Sequence, residues 1–431
     1  MHGPDLRLSL FESGTLSDLR GTGRHVPHEE RTDPPWDLAV VGAGPAGAAT
    51  ALGALRANPS LRVLLLDRAD FPRDKSCGDG IAPHVLDVLT SVGAGDVLDG
   101  WTPLRRLELS RGASEVGRPL ARPVWVVPRE VLDARLVRRA TSAGATLRRH
   151  RVRTVERGAE DVLIDDSIRA RVVVGADGAH SVVRPAAGLS PVRRRALAIR
   201  GYAPTPAGRE NTQLIVYGDR RQPSYAWAFD RGDGLSNVGY GELLDDEPDP
   251  PSRTLLLDEL ERLLPGTVAG GEGWKGHHLP LSDRRWDQAE GPVLVAGDAA
   301  GLINPMTGEG IYYAVASGIL AGRAAVEAIA QGDPGRAGRL HRRSVRRLLA
   351  RHLRHTFVAS RLSNLPAFVD AGIHAAARDQ RVFDDLVEIG LGRGLITPRL
   401  GLGLGIGLAV GLQDRRRSHP PATTTLTHTG E

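Results

Sequence analysis

Short apolar runs bounded by glycine or aspartate set the frame of this chain. Asp37-Leu38-Ala39-Val40-Val41, Leu64-Leu65-Leu66, Val172-Val173-Val174 and Val293-Leu294-Val295-Ala296 lack the alternation of a half-exposed strand. They read as strands buried on both faces, the habit of a parallel sheet covered by helices. Gly42 to Gly47, Gly175 to Gly178 and Gly297 to Gly310 follow three of them directly. Between 193 and about 278 the pattern changes to separated strands with Gly/Pro/Asp turns, including Gln213–Tyr217, Tyr225–Phe229 and Leu235–Tyr240. That block predicts an antiparallel sheet inserted into the first domain.

Helical spacing is carried by Val131, Leu132, Leu136, Val137 and Ala140, by the leucine-rich 254–264, and by Ile311–Ala330. A helix starts with Pro83 in its first turn and ends near Gly93, strands fall at Leu104–Leu109 and Pro123–Val127, and 146–174 reads as a meander. The expected class is α/β. A Rossmann-like domain spans 36–192 and 284–334, with 101–127 partly contributing to the second sheet. The antiparallel-sheet substrate domain is 193–283, and a helical C-terminal region is 335–414. Residues 1–35 and 415–431 are expected to be a disordered leader and tail.

Charge and composition narrow the class. The 431 residues carry a net charge of +5, and their 56 basic side chains include only two lysines, Lys75 and Lys275. Arginines at 336, 339, 342, 343, 346, 347, 351 and 354 interleave with Leu340, Val345, Leu348, Leu349 and Leu353, a basic amphipathic helix. It reads as a solvated face or as a surface that docks on an anionic membrane, and nucleic acid is not an expected partner. The single cysteine excludes a disulfide framework within the chain and fits a reducing cytoplasm. No apolar leader core is visible in 1–35. Leu400–Leu412 is too short to span a bilayer, and its five glycines predict a poor helix, so a packed or interfacial segment is expected. The expected location is cytoplasmic, with peripheral association at the inner face of the cell membrane. No metal is expected.

The strongest chemical signal is the first strand-turn-helix. Gly42 permits the tight turn, Gly44 lets backbone approach a pyrophosphate, and Gly47 lets the helix pack closely. Pro45 and Ala46 start a helix whose amino terminus favours phosphate. Asp67, followed by Arg68, closes the second strand about twenty residues on, placed to accept from a ribose hydroxyl. This predicts dinucleotide binding. The two further glycine-aspartate junctions point to one extended ligand contacted along its length.

Taken together, the glycine turn, Gly175-Ala176-Asp177-Gly178-Ala179-His180-Ser181 and Gly297-Asp298-Ala299-Ala300-Gly301 resemble the three FAD motifs of p-hydroxybenzoate-hydroxylase-type flavoproteins. Lys75-Ser76-Cys77-Gly78-Asp79-Gly80, Asn304 to Ile311 and Tyr225-Ala226-Trp227-Ala228-Phe229 resemble, more narrowly, the geranylgeranyl reductase family. Asp230 stands where that family usually has proline. The resemblance implies that Gly42, Gly44, Gly47 and Asp67 hold the ADP half of FAD. It places Arg129 close to the cofactor, Asp298 on the ribityl chain, and the helix start at Gly308, Gly310 and Ile311 against the flavin ring. The Cys77–Gly78 loop would lie against flavin and substrate.

Cys77 is read either as a small buried hydrophobe or as a group that positions or protonates substrate, its thiol acidified by Lys75. Tyr225, Trp227 and Phe229 alternate along a strand and so share one face, as the lining of a prenyl pocket or as plain core. The implied activity is FAD-dependent saturation of a prenyl chain of geranylgeranyl or menaquinone type, with NAD(P)H or a donor protein reducing the flavin. A monooxygenase, hydroxylase or halogenase on the same fold, or a prenyl-binding carrier without catalysis, remain as alternatives.

Overall fold

The computed structural model describes residues 34–244, 250–284 and 289–418, with side chains through Ala409. The expected leader falls outside the described residues except for Pro34 and Pro35, and so does the expected tail beyond Ser418.

The first apolar run forms β1 (Trp36–Val41), which turns through Gly42 into α1 (Pro45–Ala57) and returns as β2 (Val63–Asp67). β3 (Gly80–Ile81), α2 (Pro83–Thr90), β4 (Leu104–Arg111) and β5 (Ser114–Val126) follow, then α3 (Arg129–Ser142) and β6 (Thr146–Arg149). β7 (Val155–Arg157), β8 (Val162–Ile164) and β9 (Ile168–Gly175) make an antiparallel meander, closed by the short α4 (Val183–Ala186). β10 (Arg195–Pro204), β11 (Thr212–Tyr217), β12 (Tyr225–Asp230), β13 (Leu235–Leu244), α5 (Arg253–Leu263) and β14 (Glu272–Pro280) form the next block. The chain ends with β15 (Val293–Val295), α6 (Ile311–Ala330), α7 (Ala337–Leu362), α8 (Pro366–Arg378), α9 (Gln380–Leu391) and α10 (Pro398–Ser418).

Two sheets result. The first runs β6-β2-β1-β9-β8-β7, with β15 also on β9. β6, β2, β1, β9 and β15 are mutually parallel, so β6 is an edge strand of the parallel sheet and not part of the meander. Chain order runs outward from β1 in both directions, towards β2 and β6 on one side and β9 on the other. Open α/β sheets bind ligands at such a reversal, beyond the carboxyl ends of the strands. The second sheet runs β14-β10-β13-β12-β11-β4-β5-β3. β4 and β5, from before α3, join it through the parallel β4–β11 pair, so two separate chain segments build this sheet. The described residues from Pro35 onward form one compact unit.

Helix α1 is buried from Pro45 through Leu55, and small residues let α6 lie directly on it. A Cβ on Gly53 would sit 2.6 Å from the Ile319 carbonyl oxygen, and Cβ atoms on Gly318 and Gly322 would run into the Ala46 and Thr50 carbonyls. By length and composition α6 could cross a bilayer. Here it is a core helix, covered by α1 and α7.

The C-terminal glycine-rich segment differs from expectation. Gly401 to Gly411 is helical within α10, which runs through Ser418 and takes in the first residues of the expected tail. Local propensity disfavours this helix, but packing outweighs it. Gly403 and Gly407, one turn apart, bring α10 against α8, where a Cβ on Gly407 would lie 2.6 Å from the Ala371 carbonyl oxygen.

Candidate functional site

The glycine turn lies at the reversal between β1 and β9. Gly42 has φ 95°, and a Cβ there would lie 2.9 Å from the Asp177 Cα, so a side chain is excluded by conformation and by space. Asp67 ends β2 and takes the Ala43 N–H on Oδ2 (2.9 Å) and the Ala69 N–H on Oδ1 (3.0 Å). Its two oxygens have about four acceptor sites, which leaves capacity for a ribose hydroxyl. Arg73, not singled out in the sequence, pairs with both Asp67 and Asp133 at 3.3 Å. Arg129, at the start of α3, grips Asp133 through two bonds of 2.7 and 2.8 Å. A Cβ on Gly44 would be 3.7 Å from each of the two guanidinium groups. Two cations and a helix amino terminus thus face the point where a pyrophosphate would pass. Pro45, Ala46 and Arg68 line the same cavity.

Beyond β15, Gly297 (φ 60°) opens a turn that presents Asp298. Burial opposes ionisation of this carboxyl, but Lys75 Nζ at 3.3 Å and His277 Nε2 at 4.0 Å outweigh it and hold its pKa well below the usual range. Lys75 therefore reaches across 223 positions to fix the Asp298 junction. Gly308 (φ 69°) and Gly310 precede α6, whose first residue, Ile311, is buried. Between them Glu309 accepts the Tyr312 N–H (2.9 Å), and burial pushes its carboxyl up to about 7. The loop is tied to α9: Asn304 Nδ2 donates to the Ile389 carbonyl (2.9 Å), and Thr307 Oγ1 donates to that of Gly390 (2.9 Å).

Cys77 sits between these regions, and its electrostatics correct the sequence expectation. Lys75, whose ammonium is engaged by Asp298, still lowers the thiol pKa, but burial outweighs it. Burial pushes the thiol pKa up, against opposing contributions from Arg129 and the Asp79 N–H. Cys77 is thus a neutral thiol at ordinary pH. A thiolate formed there would have the Arg129 side chain and the Asp79 N–H beside it. Its carbonyl accepts from Asn237 Nδ2 (2.9 Å), and Asn237 Oδ1 in turn accepts from Trp227 Nε1 (2.8 Å).

Tyr225, Trp227 and Phe229 form a ladder on one face of β12, with ring centroids 6.0 and 6.4 Å apart. The thiol loop rests on this ladder: a Cβ on Gly78 would be 3.7 Å from Trp227 Nε1 and 3.8 Å from Phe229. Tyr225 donates its hydroxyl to the Thr307 carbonyl, and Trp227 spends its only donor on Asn237. Both therefore shape and brace the site, and neither has a free polar hydrogen for substrate. Asp177 is occupied by its own turn, accepting from Ser181 Oγ (2.6 Å) and the Val182 N–H (2.7 Å). Asp230, the departure from the family pattern, caps the end of β12, accepting from Asn211 N–H (2.7 Å) and Thr205 Oγ1 (3.1 Å).

Asp67, Arg129, Cys77, Asp298, Glu309 and the aromatic ladder line one cavity of about 1200 Å³. Ordinary small-molecule pockets span roughly 300–1,000 Å³, so there is space for an extended cofactor and a second ligand. Past the aromatic ladder the wall becomes aliphatic, with Leu109, Ile215, Val369, Ile373, Leu386 and Leu404. Four of these six lie on α8, α9 and α10, helices to which sequence reasoning assigned no part in the site. Their apolar spacing has the same pattern as any packed helix, so no local signal distinguished them. Asp79 was also missed, although it stands two residues from Cys77 in a glycine-flanked loop.

A family profile described as an FAD binding domain matches residues 36–336. The menaquinone reductase of Mycolicibacterium smegmatis is 32% identical over 308 residues, covering 66% of this chain and 75% of the relative. The geranylgeranyl diphosphate reductase of Rhodobacter capsulatus is 35% identical over 325 residues, covering 69% and 77%. Digeranylgeranylglycerophospholipid reductase 1 of Methanopyrus kandleri is 34% identical over 337 residues, covering 69% and 82%. Among solved structures, a geranylgeranyl bacteriochlorophyll reductase-like protein from Thermoplasma acidophilum superposes with a TM-score of 0.68 at 18% identity, covering 89% of this chain and 98% of that one. A flavin-dependent brominase shares the fold with a TM-score of 0.63 at 17% identity, covering 90% and 100%. The residues present fit FAD: a glycine turn in which Gly42 and Gly47 leave no room for a side chain, two guanidinium groups at the pyrophosphate, and an ionised Asp298 on the way to the α6 amino terminus. The chain belongs to the FAD-binding oxidoreductase family that includes the menaquinone and geranylgeranyl reductases.

Proposed function

We propose that the protein saturates carbon–carbon double bonds in the prenyl chain of a quinone or lipid. The aliphatic arm of the cavity carries this reading. It continues from the thiol loop and the aromatic ladder into the C-terminal helices, a lining suited to a long, methyl-branched apolar chain. FAD, when bound and reduced, supplies the hydride. An isolated alkene has no carbonyl to polarise, so the protein's part is orientation, exclusion of water and delivery of a proton. Tyr225, Trp227 and Phe229 offer a rigid apolar face to the chain. Cys77, half-buried and kept neutral by desolvation of its thiol, holds a proton at Sγ beside that face. Arg129 and the Asp79 N–H stabilise the sulfur once that proton has left for carbon. NAD(P)H or a protein donor provides the electrons.

We further propose that the enzyme works at an anionic membrane surface. The face of α10 opposite its α8 contact carries Gly401, Leu402, Gly405, Ile406 and Ala409, all exposed and none charged. Leu402 is 68% exposed, Leu365 55% and Ile406 50%. Their chain neighbours Leu362, Leu400 and Leu404 line the cavity, so the apolar exterior adjoins the apolar interior. The arginine-rich face of α7 supplies the attraction to anionic headgroups.

The test is an anaerobic incubation of dithionite-reduced protein with geranylgeranyl diphosphate and with menaquinone, read by mass spectrometry. A gain of two hydrogens per step is expected. Cys77→Ser should lose about 10²-fold or more in rate at unchanged FAD content. Full turnover by Cys77→Ser removes the thiol from the mechanism. Oxygen-dependent gain of one oxygen atom, with no saturation, overturns the reductase reading itself.

A further inference from the structure

Asp79 has an arrangement that binding FAD or lining a pocket does not require. It is fully buried, at φ 58°, in the cavity wall two residues from Cys77. Its Oδ2 accepts from the Tyr202 hydroxyl (2.7 Å) and from Asn237 Nδ2 (2.8 Å). Its Oδ1 has no hydrogen-bond partner among the described residues. A buried carboxylate oxygen left bare is costly, whereas a carboxyl group that keeps a proton avoids the charge. Asp79 also donates its own N–H to the Cys77 sulfur, so thiol and carboxyl belong to one short loop held by the same asparagine.

The surrounding charges are few and identifiable. Arg200 and Tyr202 face Asp79 from β10, Asn237 from β13, Arg129 from α3 and Cys77 from its own loop. Tyr202 is flanked by the Arg200 and Arg231 guanidinium groups, each 4.7 Å from its ring centre. Arg200 is itself paired with Asp74, which also takes Lys275 Nζ at 2.6 Å. Burial outweighs these cations and donors and pushes the Asp79 carboxyl up to about 6. The carboxyl therefore ionises more readily than the neighbouring thiol, so a proton passes downhill from Asp79 to a Cys77 thiolate.

We propose that Asp79 is a second proton-holding residue of this site, which returns a proton to the Cys77 sulfur after each saturation step. The inference rests on the reading that Cys77 protonates the alkene. In that step the S–H bond breaks, its electron pair stays on sulfur, and the proton joins the carbon beside the one that received the hydride. In the recharging step the Oδ1–H bond breaks and its proton passes to sulfur through a bridging water, because Oδ1 makes no hydrogen bond to the thiol itself, and Asp79 becomes a carboxylate. Solvent reprotonates the carboxylate when product leaves. Over one cycle the alkene gains one hydride and one solvent proton, and both residues return to their starting forms.

Cys77 is the sole cysteine of the chain, so iodoacetamide alkylation reports on this thiol alone. The rate is followed against pH in wild type, Asp79→Asn and Tyr202→Phe, without substrate. Removing the carboxylate charge should lower the alkylation midpoint of Asp79→Asn by about one pH unit. Tyr202→Phe, which removes one donor from Oδ2, keeps the carboxyl and should move the midpoint less, and in the opposite direction if at all. An unchanged midpoint in Asp79→Asn overturns the proposal. If that variant does not fold, Tyr202→Phe decides through the rate profile: the limb near pH 6 should move upward, and an unmoved limb overturns the proposal. With geranylgeranyl diphosphate and reduced protein, successive saturations are then timed. The ratio of second-round to first-round rate should fall at least tenfold in Asp79→Asn, and an unchanged ratio in a wild-type-active assay also overturns it. An inactive wild type refutes the prenyl-reductase reading instead, and the alkylation result then stands by itself.

Discussion

Gly53→Ala tests the contact on which the cofactor end of the fold depends. Glycine in a helix costs about 1 kcal/mol relative to alanine, so on propensity alone the substitution should stabilise α1. The structure predicts the reverse. The new Cβ would lie 2.6 Å from the Ile319 carbonyl oxygen and 2.8 Å from its Cα. Carbon and oxygen approach comfortably at about 3.3 Å or more, so the helices must part by roughly 0.7 Å. Backbone cannot rotate aside as a side chain can, which puts the overpacking cost near the upper part of its ~1–3 kcal/mol range. After the propensity gain the net loss is about 1–2 kcal/mol. Unfolding entropy of about 2.1 cal/mol/K per residue converts this to a Tm lower by about 1–2 °C. Moving α1 against α6 also shifts the glycine turn relative to the α6 amino terminus, so FAD should be retained less well through gel filtration. Gly405→Ala is the control, a helical glycine with nothing within 4 Å, and should raise stability by up to about 1 kcal/mol. Equal or higher Tm with full FAD content in Gly53→Ala would refute the close-contact reasoning.

Three further outcomes follow from the same structure. Lys75→Met leaves Asp298 without its nearest cation and should cost about 1–2 kcal/mol, less than a fully buried pair because the lysine is partly exposed, with acid unfolding moved to higher pH. Asp298 gives stability that is present above its unfolded pKa and is lost on acidification, so denaturant titrations from pH 7 to 3 should separate variant from wild type most at the neutral end. Asp79 has the opposite sign. Its folded pKa is raised from 3.8 to about 6, so its favourable contribution is complete below the unfolded value and is lost as pH rises through 6. Asp79→Asn should therefore be more stable than wild type at pH 8, by up to about 3 kcal/mol, and the gap should close towards pH 4. Finally, Leu402→Asp combined with Ile406→Asp should abolish flotation with anionic phospholipid vesicles while leaving the melting transition within about 0.5 kcal/mol of wild type. Retained flotation would place the membrane contact elsewhere.

The parallel strands were legible because their residues are apolar without alternation, and the three ligand-facing junctions because glycine and aspartate terminate those strands. Ile311–Ala330 was legible to the residue because Gly308 and Gly310 break the chain before an unbroken apolar helix. Other features were set by partners distant in sequence. Lys75 stands beside Cys77 in the chain, yet its charge is claimed by an aspartate on another strand junction, and burial decides the state of the thiol. Glycine density suggested a poor helix at 401–411, whereas the neighbouring α8 rewards that very absence of side chains. Asp230, where the resembled family usually has proline, is a turn cap outside the cavity. The aliphatic wall from α8 to α10 was illegible because a helix that lines a tunnel and a helix that fills a core share one periodicity.

Helix α9 does two jobs at once. Leu386 belongs to the cavity wall, while the carbonyls of Ile389 and Gly390 hold the Asn304–Thr307 loop. Chain-length preference therefore cannot be transplanted between relatives by exchanging α8 to α10 alone. A foreign α9 would bring its own carbonyl positions and retune the cofactor-side loop along with the tunnel. Chimeras that keep Ile389 to Leu391 native and vary only the upstream turns of α9 should separate the two properties.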